Sequence, residues 1–162
     1  MNHAEDPVTD LRSRPAQADD LPLLLRLMRQ FYAEDRIAFD EARVARGLRQ
    51  LLADPACGQA LLWLDEHGQV VGYAVLTMNF SLEQGGWHVL LDELYLGPSA
   101  RGRGWGGQAL ALARRWAQAR GATRLRLEVN RHNAAARRLY LRAGYADEQR
   151  DLLTLDLGDV PA

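Results

Sequence analysis

Three sets of residues in this chain have types and spacings that could do chemistry. Asp92 and Glu93 are adjacent carboxylates inside the otherwise apolar run 89–96 (VLLDELYL). Charge in such a run is costly to bury without a partner, and a carboxylate placed there can take a proton or hold a cation. Gly102, Gly104, Gly106 and Gly107 follow shortly after and open a helical stretch. Their uncovered backbone N–H groups and the positive end of that helix would converge on an anion. Asn133 and Tyr140 stand seven residues apart, about two helical turns, so they project from one face. The asparagine is suited to cap a helix, and a phenol is able to supply a proton.

The elements that must position these groups follow from the residue pattern. Residues 10–14 (DLRSR) read as a short strand ended by Pro15. Asp19 and Asp20 start a helix with Pro22 in its first turn and Leu21, Leu24, Leu25 and Met28 at helical spacing, ending near 32–34. A second helix over 39–53 carries Val44, Leu48, Leu51 and Leu52 on one side and stops at Asp54-Pro55. Residues 60–65 and 69–80 are rich in β-branched and aromatic side chains and flank the turn Glu66-His67-Gly68, which predicts an antiparallel pair. Next come a strand over 87–96, the glycine loop, a helix over 106–120 stopped by Gly121, and an alternating strand over 123–129. A helix from Asn133 to Gly144 and a closing strand or hairpin over 145–157, ending in LLTLDL, complete the chain.

This order, β-α-α-β-β-β-α-β-α-β-β, predicts an α/β fold with one mixed, mostly antiparallel sheet flanked by helices. A length of 162 residues suits one well-buried domain over 1–162, with 1–9 a flexible tail. Phe31, Tyr32, Glu34 and Asp35 read as a packed helix end rather than a substrate mouth. Trp87 and His88 read as packing residues, and His132 as solvated.

Composition narrows the chemistry further. The chain has no lysine, so all 20 basic side chains are arginine, which excludes a Walker-type phosphate loop and an imine-forming mechanism. With Cys57 alone there is no disulfide framework, and with His3 and His67 in a tail and a turn no metal site is expected. No leader pattern and no membrane-length apolar run are present, which suggests a cytoplasmic protein without a membrane partner. Charge is divided unevenly. Residues 1–96 hold eight arginines against fifteen carboxylates, a net −7, whereas 97–150 hold twelve against three, a net +9. The basic segment begins at the glycine loop and argues for a polyanionic ligand. Nucleic acid fits poorly, because aromatics do not interleave with the basic run. Gly102, Gly104 and Gly107 with Glu128 nearly make a dinucleotide fingerprint, but that motif belongs at a first strand and needs more βα units than 55 further residues supply.

The run Arg101-Gly102-Arg103-Gly104-Trp105-Gly106 satisfies [Q/R]-x-x-G-x-[G/A]. With the downstream NAAARRLYLRAGY, the chain resembles the GNAT superfamily of acyl-CoA-dependent N-acyltransferases over nearly its whole length. The resemblance implies that backbone amides of Arg101, Gly102, Arg103, Gly104, Trp105, Gly106 and Gly107 hold the pyrophosphate of acetyl-CoA. It further implies that the pantetheine arm lies along Leu94, Tyr95 and Leu96, that Asn133 helps hold the cofactor, and that Tyr140 is the general acid. LLDELYL is similar to the corresponding strand of diamine, polyamine and some aminoglycoside acetyltransferases. That likeness implies Asp92, then Glu93, as base or ammonium anchor in direct transfer to a small cationic amine: a polyamine, diamine, aminoglycoside or amino-acid-like acceptor. Acetylation of a protein N-terminus or side chain, and a non-catalytic acyl-CoA-binding module, are the competing readings. A homodimer follows by family analogy only.

Overall fold

Strand-forming runs in the middle of the chain build a five-stranded sheet in the computed structural model, which describes residues 10–158. The tail expected over 1–9 lies outside the described residues. The strands are β1 (Arg12–Pro15), β2 (Gly58–Leu64), β3 (Val70–Ser81), β4 (Gly86–Leu96) and β5 (Leu125–Leu127), hydrogen-bonded in that order. β1 to β4 pair antiparallel, and β5 joins β4 in parallel. That parallel pair requires a crossover, which the helix between the two strands provides.

Helices cover both faces, which explains why the central strands are apolar almost throughout. α1 (Leu21–Glu34) and α2 (Glu41–Ala53) enclose a core with Leu62, Tyr73, Val75 and Tyr95. On the other face, Leu61, Trp63, Leu76, Val89 and Leu91 pack with Trp105, Ala109 and Leu110 of α3 (Trp105–Ala119). Leu139 and Tyr140 of α4 (Ala134–Arg142) rest against this second core. α1 buries Leu24, Leu27 and Met28, a one-sided stripe at helical spacing. α2 starts where Asp40 Oδ1 accepts a hydrogen bond from the Arg43 amide at 3.0 Å, an aspartate N-cap. Among the described residues, no helix is long and apolar enough to cross a membrane.

The mixed, mostly antiparallel sheet is as expected, but two expectations fail. The strand predicted over 123–129 shrinks to Leu125–Leu127, because its parallel ladder on β4 spans only Val89 to Leu91. The closing strand or hairpin predicted over 145–157 does not form. Arg126–Glu148, Arg137–Asp147 and Arg150–Glu83 ion pairs instead tie the segment to β5, α4 and the β3–β4 turn. Alternation alone does not make a strand; it needs an edge to pair with, and β5 supplies three residues. Leu152, Leu153, Leu155 and Leu157 are consequently 71–91% exposed.

Leu24 is fully buried and seats α1 on the sheet. Leu24→Ala is expected to lower stability in urea unfolding by about 2–5 kcal/mol, the range for a large-to-small core change. A loss below about 1 kcal/mol would show that α1 is not packed as described.

Candidate active site

β4 carries an irregularity at its two carboxylates. Glu93 pairs with Val75 and Leu91 with Leu76, so Asp92 has no partner of its own on β3. This is a β-bulge, which breaks the two-residue alternation that would otherwise turn adjacent side chains to opposite faces. Asp92 and Glu93 therefore both line one cavity of about 320 Å³ on the α1–α2 side of the sheet. Tyr32 of α1 donates its hydroxyl to Glu93 Oε1, and Tyr73 of β3 donates to Oε2 at 2.7 Å. Burial raises the Glu93 pKa, with the two phenols pulling the other way. Among the described residues, Asp92 makes no side-chain hydrogen bond; its carboxylate still meets solvent, and desolvation by the cavity wall raises its pKa in the same direction as that of Glu93. The Tyr32 and Tyr73 phenols are also pushed up, first by burial, so both remain donors to the carboxylate. Cys57 reaches the cavity too, but its thiol donates to Asp54 Oδ2 at 3.3 Å and that contact raises its pKa. An activated thiolate would need the reverse.

Beyond the bulge, β4 leaves its parallel neighbour. The ladder with β5 ends at Leu91, so one edge of Leu94, Tyr95 and Leu96 has no strand beside it among the described residues. The chain then makes a short 3-10 turn over Pro98–Ala100 and enters the glycine loop. Gly102 and Gly104 take φ of +73° and +74°, a left-handed conformation that disfavours residues with a side chain. Gly104 is the N-cap of α3 and offers no side chain to its orphan amides. A Cβ at Gly102, Gly104 or Gly107 would meet nothing within 4 Å, whereas one at Gly106 would come within 2.9 Å of Leu139 of α4. The loop is thus open on one side and closely backed by α4 on another, a cradle that fits an anion such as pyrophosphate.

The two loop arginines are drawn outward. Arg101 pairs with Glu34 and its Nε donates to the Leu96 carbonyl at 3.2 Å. Arg103 pairs with Glu66 at 2.6 Å and stacks over the Trp105 ring at 3.8 Å. This revises the reading of the charge division. Six of the twelve arginines in 97–150 are engaged by carboxylates of the same chain, three of these lying in the acidic half. Four of these pairs reach carboxylates outside 97–150, so part of the +9 is answered within the chain, Arg101 and Arg103 of the loop included.

α4 supplies the third set. Asn133 Oδ1 accepts from the Ala136 amide at 3.1 Å, so it is the N-cap. Tyr140 is half-buried, with its ring 5.9 Å from that of Tyr145. Burial and then the Asp35 charge raise its pKa, which keeps the phenol protonated. The Tyr145 phenol is raised to about 12, chiefly by burial.

The last turn of α1 ties these parts together, contrary to its reading as an ordinary helix end. Tyr32 holds Glu93, Glu34 accepts from Tyr95 at 3.1 Å and pairs with Arg101, and Asp35 accepts from Asn130. His132 Nε2 lies 3.2 Å from Asp35 Oδ1, so this histidine is engaged rather than simply solvated. His88 is 6% exposed, a packed residue as expected. Tyr73 carried no sequence signal beyond strand propensity; its role depends on register, which aligns it with Tyr95.

Comparison with known proteins agrees with this architecture. Residues 23–145 match the profile of the Acetyltransferase (GNAT) family. The uncharacterized N-acetyltransferase YhfO of Bacillus subtilis (strain 168) is 30% identical over 135 residues, covering 83% of this chain and 89% of that one. The aminoalkylphosphonate N-acetyltransferase of Salmonella typhimurium (strain LT2) is 30% identical over 145 residues, covering 90% of this chain and 91% of its own. A predicted acetyltransferase from Clostridium acetobutylicum, solved with acetyl-CoA, shares the fold at a TM-score of 0.75 and 19% identity, over 91% of this chain and 96% of that one. With the family profile matched over most of its length, the chain belongs to the GNAT family, and its chemistry is the acetyl-CoA-dependent N-acetylation of amines.

Proposed function

We propose that the protein acetylates the primary amine of a small acceptor bound in the cavity between α1, α2 and β3–β4, by direct transfer. The observation that carries this is the bulge, which brings both carboxylates of β4 into that cavity. A volume of about 320 Å³ stands at the small end for ligand pockets, which favours a small molecule over a protein segment. The Salmonella relative, by its name, also acts on a small amine.

Acetyl-CoA supplies the acetyl thioester when bound. The backbone amides of Gly102 to Gly107 would hold its pyrophosphate, the Arg101 amide being already bonded to the Pro98 carbonyl, and the edge of Leu94, Tyr95 and Leu96 that carries no strand among the described residues would receive the pantetheine arm as an added strand does. Asn133 uses only Oδ1 in the cap and, among the described residues, keeps its side-chain amide N–H groups available to the cofactor. Glu93, fixed by two phenols, holds negative charge where the acceptor ammonium arrives. Asp92, free of such bonds, takes the proton at its carboxylate, and the neutral amine is then the nucleophile. Tyr140 gives its phenolic proton to the departing sulfur.

Thiol release from acetyl-CoA across a panel of small amines tests the reading, and an absence of turnover with every amine would overturn it. Tyr140→Phe is expected to lower kcat on the order of 10²-fold with little change in cofactor affinity. An unchanged kcat would remove Tyr140 as the acid.

Asp92 also links activity to stability. Its pKa is raised in the folded protein, so the folded state binds this proton more tightly than the unfolded chain does. Stability is then lost as pH rises from the ordinary aspartate range through the raised value. Asp92→Asn is expected to abolish the acid limb of kcat/KM and, the side chain being exposed, to raise Tm only slightly above the wild type near neutral pH. That Tm gap should close at pH values below the ordinary aspartate range. A lower Tm at neutral pH would contradict the burial cost assigned to Asp92.

A further inference from the structure

The α2 side of the cavity includes two exposed residues that take no part in its apolar packing. Arg43, Val44, Gly47, Leu48 and Leu51 of α2 all line it. Val44, Leu48 and Leu51 belong to the apolar cluster on that face, but Arg43 and Gly47 do not. Gly47 occupies a helix interior, where glycine is unfavourable relative to alanine, and it has no left-handed φ to justify it. A Cβ there would meet nothing within 4 Å, so Gly47 leaves open, solvent-accessible space at the cavity rim. Arg43 stands one helical turn earlier, four residues from Gly47 and on the same stripe. The two carboxylates nearest it in sequence are committed elsewhere: Asp40 Oδ1 caps α2, and Glu41 pairs with Arg29. Among the described residues, the Arg43 guanidinium makes no ion pair.

We propose, building on the acetyltransfer reading above, that Arg43 and the notch at Gly47 receive an oxyanion of the acceptor. The cavity then carries opposite charges on opposite walls, Asp92 and Glu93 for the ammonium and Arg43 for the acid. The acceptor class is a small zwitterion, an aminoalkyl carboxylate or phosphonate, rather than the diamine that the carboxylates of β4 suggest when taken alone. A guanidinium suits this role because its fork meets two oxygens of one oxyanion.

The test is steady-state acetylation, read by thiol release, of four acceptors of similar length: butylamine, diaminobutane, aminobutanoate and aminopropylphosphonate. In the wild type, kcat/KM for at least one of the two acids should exceed that for butylamine by about tenfold or more, a charge-assisted contact at a binding site. Diaminobutane should be the poorest acceptor. Arg43→Gln should bring the acid-to-butylamine ratio close to one, chiefly through KM, and Arg43→Lys should restore part of it. Arg46→Gln removes a charge from the same helix outside the cavity wall and should leave that ratio intact. A wild-type preference for diaminobutane, or an equal loss on both acid and butylamine in Arg43→Gln, overturns the inference while the acetyltransfer reading stands. No turnover of any acceptor overturns both.

Discussion

A single extra residue in β4 governs the layout of the site. Before the bulge, Val89 and Leu91 face the α3 core; after it, Leu94 and Leu96 do, while Glu93 and Tyr95 face α1. Strict alternation would have carried Glu93 into the apolar core with Leu91, where its charge would lack partners. The bulge instead delivers it to Tyr32 and Tyr73. The parallel ladder with β5 also ends at Leu91, next to the same irregularity. One local break in pairing thus accompanies both a carboxylate-lined cavity on one face and a strand edge, unpaired among the described residues, that leads to the glycine loop.

What keeps these parts in place is the last turn of α1. Tyr32, Glu34 and Asp35 lie within four residues, yet they reach β4, the glycine loop and the segment before α4. The uneven charge along the chain acquires a meaning here. Acidic residues from the first half meet arginines from the second at Glu34–Arg101, Glu66–Arg103 and Glu83–Arg150. Exposed pairs of this kind contribute little stability individually. Their consequence at the loop is electrostatic: the side-chain charges of Arg101 and Arg103 are already answered by Glu34 and Glu66.

The aromatic ring system around Glu93 shows how a half-buried carboxylate is tolerated in an apolar wall. Phe31, Tyr73 and Tyr95 stack against one another beneath it, with ring centroids 5.7 to 6.4 Å apart. Two of the surrounding phenols give it hydrogen bonds. Burial raises the pKa of the acid and of both phenols, so the phenols keep their hydrogens and donate them to Glu93, and those two hydrogen bonds work against the burial that disfavours its charge. Asp92, without such donors, remains available to a ligand.

Much of this was legible in the chain. The glycine loop, the paired carboxylates, the Asn133 cap and all four helices appear where local pattern put them, because each depends on backbone chemistry among near neighbours. The LLTLDL run shows the limit of such pattern. Its alternation is that of a strand, but whether it becomes one depends on an edge elsewhere in the molecule. The same limit applies to the site. Tyr32 meets Glu93 across 61 residues and Asn130 meets Asp35 across 95, and nothing local encodes either meeting. The sequence by itself determined which groups are present and which helices and strands carry them, since propensity, capping and turn chemistry act over a few residues. Only the tertiary structure decided which face Glu93 takes, where β5 stops and that Arg43 shares a cavity with Asp92, because register and helix placement are set by packing of the whole sheet.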